Sequence, residues 1–283
     1  YKSLKDSILR ANNVDSVETI LSSFFEKAAG LAMQIHKKAP SNSKFKHAAS
    51  IACFKLGEFA ANLYNSIDAR VSSDAWRRRS IAAQERNREL QAVTSQLKEL
   101  QKKSRAANDD VTVDTRIIQA TILREVQMDE RELKSVEHSM QRYLQLAVES
   151  YCDALKLVPA SMTDVSKHVF QLISLWFKNC QRKGTEDIVN RILKSSIAQI
   201  PSYRLVPLTY QLFSRIDEVQ EDDKCGFQNI LRGIVCKICS EHPYHGIVQI
   251  LALSNGQRIG GGVNGRHANA YLENVGTTKV DEA

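Results

Sequence analysis

The sequence predicts an all-α chain, an α-solenoid of irregular helical repeats carrying a long antiparallel coiled-coil hairpin. Three observations predict it. Apolar residues recur at three- and four-residue steps from Asp15 to Leu253, the spacing of one helix face. Only five prolines occur in 283 residues, and Pro159, Pro201, Pro207 and Pro243 all follow residue 158, so the first half allows long unbroken helices. Hydrophobic residues make up 43% and charged residues 25%, a composition that builds a packed core rather than a disordered chain.

The first helix is expected over 14–39. Asp15 followed by Glu18 has capping-box spacing, the stripe is Ile20, Leu21, Phe24, Phe25, Ala28, Leu31, Ala32 and Ile35, and Pro40 ends it. A second helix, 44–71, has Ile51, Phe54, Phe59, Leu63 and Ile67 on one face. Asp74 is then expected to cap a third helix, 75–107. That helix is polar except for the narrow seam Ala83, Leu90, Val93, Leu97 and Leu100. After the break at Asn108-Asp109-Asp110, a fourth helix over 114–158 repeats such a seam through Ile122, Val126, Leu133, Val136, Met140, Tyr143, Ala147 and Ala154, with Asp129 as a polar interruption. A narrow seam buries against one partner only, which leaves the other faces charged. Two such helices with a short link predict the hairpin, about 74–158.

Beyond Pro159 the elements shorten, with helices expected at 164–180, 186–199, 203–217, 225–241 and 244–254. Thr163 or Asp164 is the expected cap of the first, Gly184 its exit turn, and Thr185 the cap of the next. Short helices with short joins are the pattern of a solenoid without a fixed repeat period. The repeat segment is therefore placed at 1–257 and a Gly-rich tail at 258–283. No run of about 18 uncharged apolar residues occurs, so no membrane span is expected. The chain opens Tyr-Lys-Ser, as a fragment of a longer protein would, and its six cysteines lack a disulfide-framework spacing, which suggests a reducing compartment.

The net charge is +7, and residues 74–108 carry nine cationic against four acidic side chains, about +5. Such a stripe can steer an acidic partner; it reads as a solvated helix face, and direct nucleic-acid binding is not expected. Within it, Arg77-Arg78-Arg79-Ser80 has the look of a basophilic phosphosite or import signal, and Ser95-Gln96 is a Ser-Gln site; both read as ordinary helix surface.

No catalytic, cofactor-binding or metal site emerges. Gly260, Gly262 and Gly265 spell GxGxxG, but no helix follows to complete a dinucleotide-binding unit. Cys236, Cys239, His242 and His245, with Cys225 upstream, are zinc-type ligands. The two cysteines lie one helical turn apart beside Val235 and Ile238, though, and are expected to be core residues. Asp129, Glu130 and Glu132 lie on a charged helix with no sign of the desolvation that general acid–base chemistry needs. The sequence has no GxxxxGK[ST], HExxH, GxSxG or DFG motif.

The second half carries a resemblance. Ser174-Leu175-Trp176-Phe177-Lys178-Asn179, the run Ile200-Pro201-Ser202-Tyr203 to Pro207-Leu208 and Tyr210-Gln211-Leu212, Gly226-Phe227, and His242-Pro243-Tyr244-His245 before Ile250-Leu251-Ala252-Leu253 occur in this order. They resemble the ataxia-telangiectasia mutated (ATM) serine/threonine kinases of the phosphatidylinositol 3-kinase-related family, in the helical FAT region that precedes the kinase domain. Ala147-Val148-Glu149-Ser150-Tyr151 resembles the end of that region's long coiled-coil helix. The likeness runs over about 15–257 and is most specific over 170–257; the residues from Arg258 depart from it.

The resemblance implies a non-catalytic scaffold of a large nuclear kinase that responds to DNA double-strand breaks. It implies packing against the parent's own kinase domain, a homodimer formed through the parent, and ATP and Mg²⁺ held in that kinase domain rather than here. The alternative is a free-standing solenoid and coiled-coil adaptor for protein–protein interaction. Trp176, on a stripe with Leu172 and Ile173, is expected in an inter-helix core, and Pro201 and Pro207 are expected to start a helix whose Tyr210 and Leu212 face neighbours.

Overall fold

The computed structural model describes residues 14–103, 110–160, 162, 165–216 and 226–259. Every element among them is helical. In chain order they are α1 (Val14–Ile20), a π-helical turn (Leu21–Glu26), α2 (Lys27–Lys38), α3 (Ser43–Val71), α4 (Asp74–Lys103), α5 (Asp110–Leu157), α6 (Ser166–Asn179) and α7 (Glu186–Ser196). Three single 3₁₀ turns follow, Ile197–Gln199, Ser202–Arg204 and Val206–Leu208, then α8 (Thr209–Phe213), α9 (Phe227–Glu241) and α10 (Pro243–Ile259). The chain forms two compact units, one of residues 1–61 with 144–283 and one of 62–143.

In the first unit the later helices pack on their near neighbours in sequence: α6 on α7, α7 on α9, α8 on α9 and α9 on α10. Packing that runs mainly between elements near in sequence is the pattern of a solenoid. Trp176, Tyr64, Tyr151 and Phe213 are among the largest fully buried side chains of the molecule. Gly57 in α3 lets helix α5 approach closely, since a Cβ there would stand 3.1 Å from the Tyr151 ring.

In the second unit α4 and α5 are tied by three side-chain bonds. Arg79 pairs with Glu132, Arg86 Nε donates to Asp129 Oδ2 at 2.8 Å, and Gln119 Nε2 donates to Thr94 Oγ1 at 2.9 Å. As one partner's number rises the other's falls, which is antiparallel register. Leu97, Ile122, Val126, Met140 and Tyr143 of the seam are buried. Asp129, which interrupts the apolar pattern, is where Arg86 crosses over.

Several expectations are corrected. Ser73, not Asp74, caps α4: its Oγ accepts the Trp76 N–H at 3.3 Å, while Asp74 sits in the first turn, 3.5 Å from Arg77. Asp15 lies inside α1. Thr185 stands at the N-cap of α7, but its hydroxyl makes no cap bond and turns to Asn179 Oδ1 at 3.3 Å. The helix expected over 203–217 is broken into two 3₁₀ turns and the five-residue α8, because Pro207 has no N–H to continue a helix from the preceding turn. Helix α10 continues through Gly256 to Ile259, five residues past the expected end.

The first helix differs most. Leu21 of its expected core stripe is buried, but Phe24, Leu31 and Ile35 are exposed, and Ala29, outside that stripe, is buried. The π turn explains this. Its wider winding rotates the following residues, so the inward set steps by fours through Leu21, Phe25 and Ala29, with Phe25 stacked on Phe59 at 4.5 Å. Ile51 and Tyr210 also face outward, 40% and 59% exposed, against the inward placement expected of them. The expected link at 108–109, the caps Thr163 and Asp164, Cys225 and the glycines of 260–276 lie outside the described residues.

Candidate functional site

Several motif residues of 174–245, among them Trp176, Asn179 and Ser202, form buried joints between helix ends, whereas Tyr203, Tyr210 and Tyr244 are exposed. Trp176 is fully buried on α6 and donates its indole N–H to Asn190 Oδ1 on α7 at 2.7 Å. Asn190 passes its own amide to the Cys180 carbonyl at 3.0 Å, at the end of α6, where backbone carbonyls need partners beyond the helix. Asn179 Nδ2 returns to Leu175 O at 2.8 Å. Gly184, at φ 87°, takes the left-handed conformation that turns the chain from α6 into α7. Behind the indole, Phe227 of α9 lies 5.0 Å away, and the Arg215 guanidinium covers Phe177 at 4.3 Å.

The run 200–204 makes a second joint. Arg204 is buried and sends Nη2 to the carbonyls of Val158 and Pro159, each at 3.1 Å. These lie just past the C-terminal end of α5, where a cation complements the helix dipole. Lys237 of α9 does the same for the turn after α7, donating to Ala198 O at 2.9 Å and Ile200 O at 2.8 Å.

Ser202 meets the His242-Pro243-Tyr244-His245 motif. Its Oγ donates to the Glu241 carboxylate and lies 2.9 Å from His242 Nε2. Serine, histidine and glutamate are the residue types of a nucleophilic triad, but the connectivity is wrong. A relay needs the carboxylate on the imidazole's other nitrogen, whereas here carboxylate and imidazole both bind the hydroxyl. Ser202 is also buried, 1% exposed, so no substrate carbonyl reaches it. The arrangement holds a helix end.

One titratable cluster sits apart from the motifs. Glu58 on α3 accepts Lys55 Nζ at 2.9 Å and Lys167 Nζ at 3.0 Å, and His168 Nε2 lies 3.3 Å away. Burial alone would raise this carboxyl. The hydrogen bonds and charges of Lys55 and Lys167 outweigh it and hold Glu58 down at about 2. Burial lowers His168, against the pull of Glu58, and its ring stacks on Phe54 at 4.0 Å. Burial, with the Glu58 charge beside it, raises the Tyr151 phenol, which donates to Gln171 at 3.0 Å. Burial likewise pushes the Cys53 and Cys152 thiols up, to about 11 and about 12, so neither is a thiolate nucleophile near neutrality.

The sequence-derived candidates fall as follows. Cys236 is exposed and Cys239 half-buried, so the expectation of two core cysteines is corrected. Cys239 packs against Gly246, where a Cβ would come within 2.8 Å of its Sγ. The His242 and His245 rings stand 6.4 Å apart, and among the described residues no group of three or more His, Cys, Asp or Glu side chains is placed to hold a metal ion. Asp129, Glu130 and Glu132 are each engaged by a basic side chain, Arg86, Lys134 and the pair Arg70 and Arg79 respectively. Ser95 bonds back to Gln91 O at 2.8 Å on the exposed face of α4. Arg77 and Arg79 are ion-paired surface residues. No described helix is long and apolar enough to cross a membrane.

Sequence reasoning missed Glu58 with Lys167 and His168, since they are separated by about 110 positions. The only local signal was Lys55 and Glu58 one turn apart. It also missed Arg204 and Lys237 as caps, because their acceptors are backbone carbonyls, which leave no mark in a sequence.

Fold and site together define a helical-repeat segment whose distinctive residues are used in packing. In sequence the chain is similar to the ATM and Tel1 serine/threonine kinases. It is 28% identical over 242 residues to the serine/threonine-protein kinase ATM of Arabidopsis thaliana, covering 85% of this chain and 6% of that protein. It is 26% identical over 248 residues to the serine-protein kinase ATM of Sus scrofa, covering 87% of this chain and 7% of that one. Among solved structures, the FAT and kinase domain of CtTel1 covers 92% of this chain, and 16% of that chain, at 16% identity with a TM-score of 0.46. No family model matches. The chain therefore spans only 6% to 7% of the length of the curated relatives it matches.

Proposed function

We propose that this chain is a non-catalytic FAT-type scaffold of an ATM-like serine/threonine kinase. In this reading it supports and restrains the parent's kinase domain, contributes to a homodimer, and serves nuclear signalling and repair of DNA double-strand breaks. Helices α4 and α5 would act in it as a coiled-coil hairpin. ATP and Mg²⁺ would be bound in the kinase domain and nowhere in this segment.

The observation that carries the reading is the use made of the kinase-like motifs. Trp176 is consumed by Asn190, and Ser202 by Glu241 and His242. Phosphoryl transfer needs a phosphate-cradling loop, a lysine on the phosphates, Mg²⁺ ligands and a base, and the motifs supply packing in their place. A segment packed on a catalytic domain biases its open and closed states; a coupling of about 1–3 kcal/mol changes activity several-fold. ATP turnover by the purified chain tests the proposal. Background-level hydrolysis is expected, and turnover abolished by a point mutation within the chain would refute it.

A further inference from the structure

The first unit contains a groove of about 780 Å³ between α7 and α9. We propose that it is a docking site for an acidic peptide segment of another protein, one with a large apolar side chain flanked by carboxylates. Arg191 and Lys194 of α7 and Asn229 and Gly233 of α9 form its sides, and Ile197 and Ile230 line it.

The glycine is the first reason. Gly233 lies in the middle of the 15-residue α9, where glycine favours the helix less than alanine does. Among the described residues, a Cβ built at Gly233 meets nothing within 4 Å. Gly57 and Gly246 differ, since a Cβ at either would crowd Tyr151 or Cys239. Gly233 lies on the groove wall, and its missing side chain keeps that stretch of the groove open.

Charge is the second. Arg191 and Lys194 are exposed on one face of α7, and among the described residues neither pairs with a carboxylate. Arg204 and Lys237, by contrast, are already engaged with backbone carbonyls. Two free cations beside isoleucine side chains match a ligand that is both anionic and apolar, which inorganic phosphate is not. Asp187 stands at the other end of the same α7 face. It repels carboxylates there and places them toward Lys194, which gives the bound peptide a direction. A groove of this size falls in the range of about 300–1,000 Å³ that holds a few side chains.

The test uses the 283-residue chain and a fluorescein-labelled peptide of repeated Glu-Glu-Leu, titrated at low and high salt. Saturable binding that weakens with salt is expected. Arg191→Glu with Lys194→Glu should weaken it about tenfold or more. Gly233→Gln should weaken it comparably while the melting temperature holds or rises, since the change adds helix propensity and its Cβ meets no described neighbour. That variant separates a blocked groove from a damaged fold. Absence of saturable binding, or binding indifferent to both variants, would overturn the proposal. So would equal competition by inorganic phosphate, which would make it a simple anion site. Tighter peptide binding after Asp217, Glu218, Glu221, Asp222 and Asp223 are changed to amides would also overturn it, since the chain's own acidic segment would then be the occupant.

Discussion

Trp176 and Asn190 form a closed polar joint inside an apolar core: the indole N–H reaches Asn190 Oδ1 at 2.7 Å, and neither side chain is more than 2% exposed. The pair links α6 to α7, and the Asn190 amide closes the end of α6 through Cys180 O. Trp176→Ala should destabilise the chain by about 3–5 kcal/mol, from lost burial and the cavity left behind. Trp176→Phe keeps most of the volume but strands the Asn190 oxygen, and should cost about 1–3 kcal/mol. Urea denaturation followed by circular dichroism measures both.

The α4–α5 pair should depend on its seam and on one cross-helix ion pair. Leu97→Asp should loosen it by about 2–4 kcal/mol, from lost burial and an unpaired charge, whereas exposed Lys98→Asp should change little. Arg86 and Asp129 are 33% and 13% exposed, so a double-mutant cycle to alanine should give a coupling of about 0.5–2 kcal/mol. Hydrogen exchange over 74–103 and 116–143 is the readout. Equal protection in wild type and Leu97→Asp would break the pairing.

Acid stability should report Glu58. Its folded value of about 2 lies below its ordinary 4.5, so its stabilising contribution is present above about 4.5 and is lost as pH falls toward 2. The exposed lysines screen it, which leaves about 1–2 kcal/mol. His168, lowered by burial, works in the same direction: protonating it below its ordinary 6.5 also costs stability. Glu58→Gln should flatten the fall of the urea midpoint between pH 4.5 and 2 while leaving the onset set by His168.

Zinc should be absent from Cys236, Cys239, His242 and His245. Cys236 is exposed, Cys239 is closed against Gly246, and the histidine rings are 6.4 Å apart. Elemental analysis of protein purified without chelator should find far less than one zinc per chain. A stoichiometric ion lost in Cys236→Ser would reverse the reading.

Much of the helical fold was legible because burial on one face imposes a period that the sequence must show. Trp176, Leu172 and Ile173 read as core and are core. Failures occurred where the backbone departed from an ideal helix. The π turn at Leu21–Glu26 leaves composition unchanged yet turns Phe24, Leu31 and Ile35 outward. Pro207 is the type of residue that opens a helix, yet here it divides the segment into short turns. Joints such as Arg204 to Val158 were invisible because one partner is main chain. The Ser202–His242 contact was invisible because 40 residues separate its partners.

The scaffold reading is tested most directly in the full-length parent carrying Trp176→Ala, with protein level, dimerisation and basal kinase activity measured together. The account predicts lower abundance or a several-fold change in basal activity, although the substitution lies in a buried helix joint and touches no substrate or nucleotide. Normal abundance, normal dimerisation and normal activity together would contradict it.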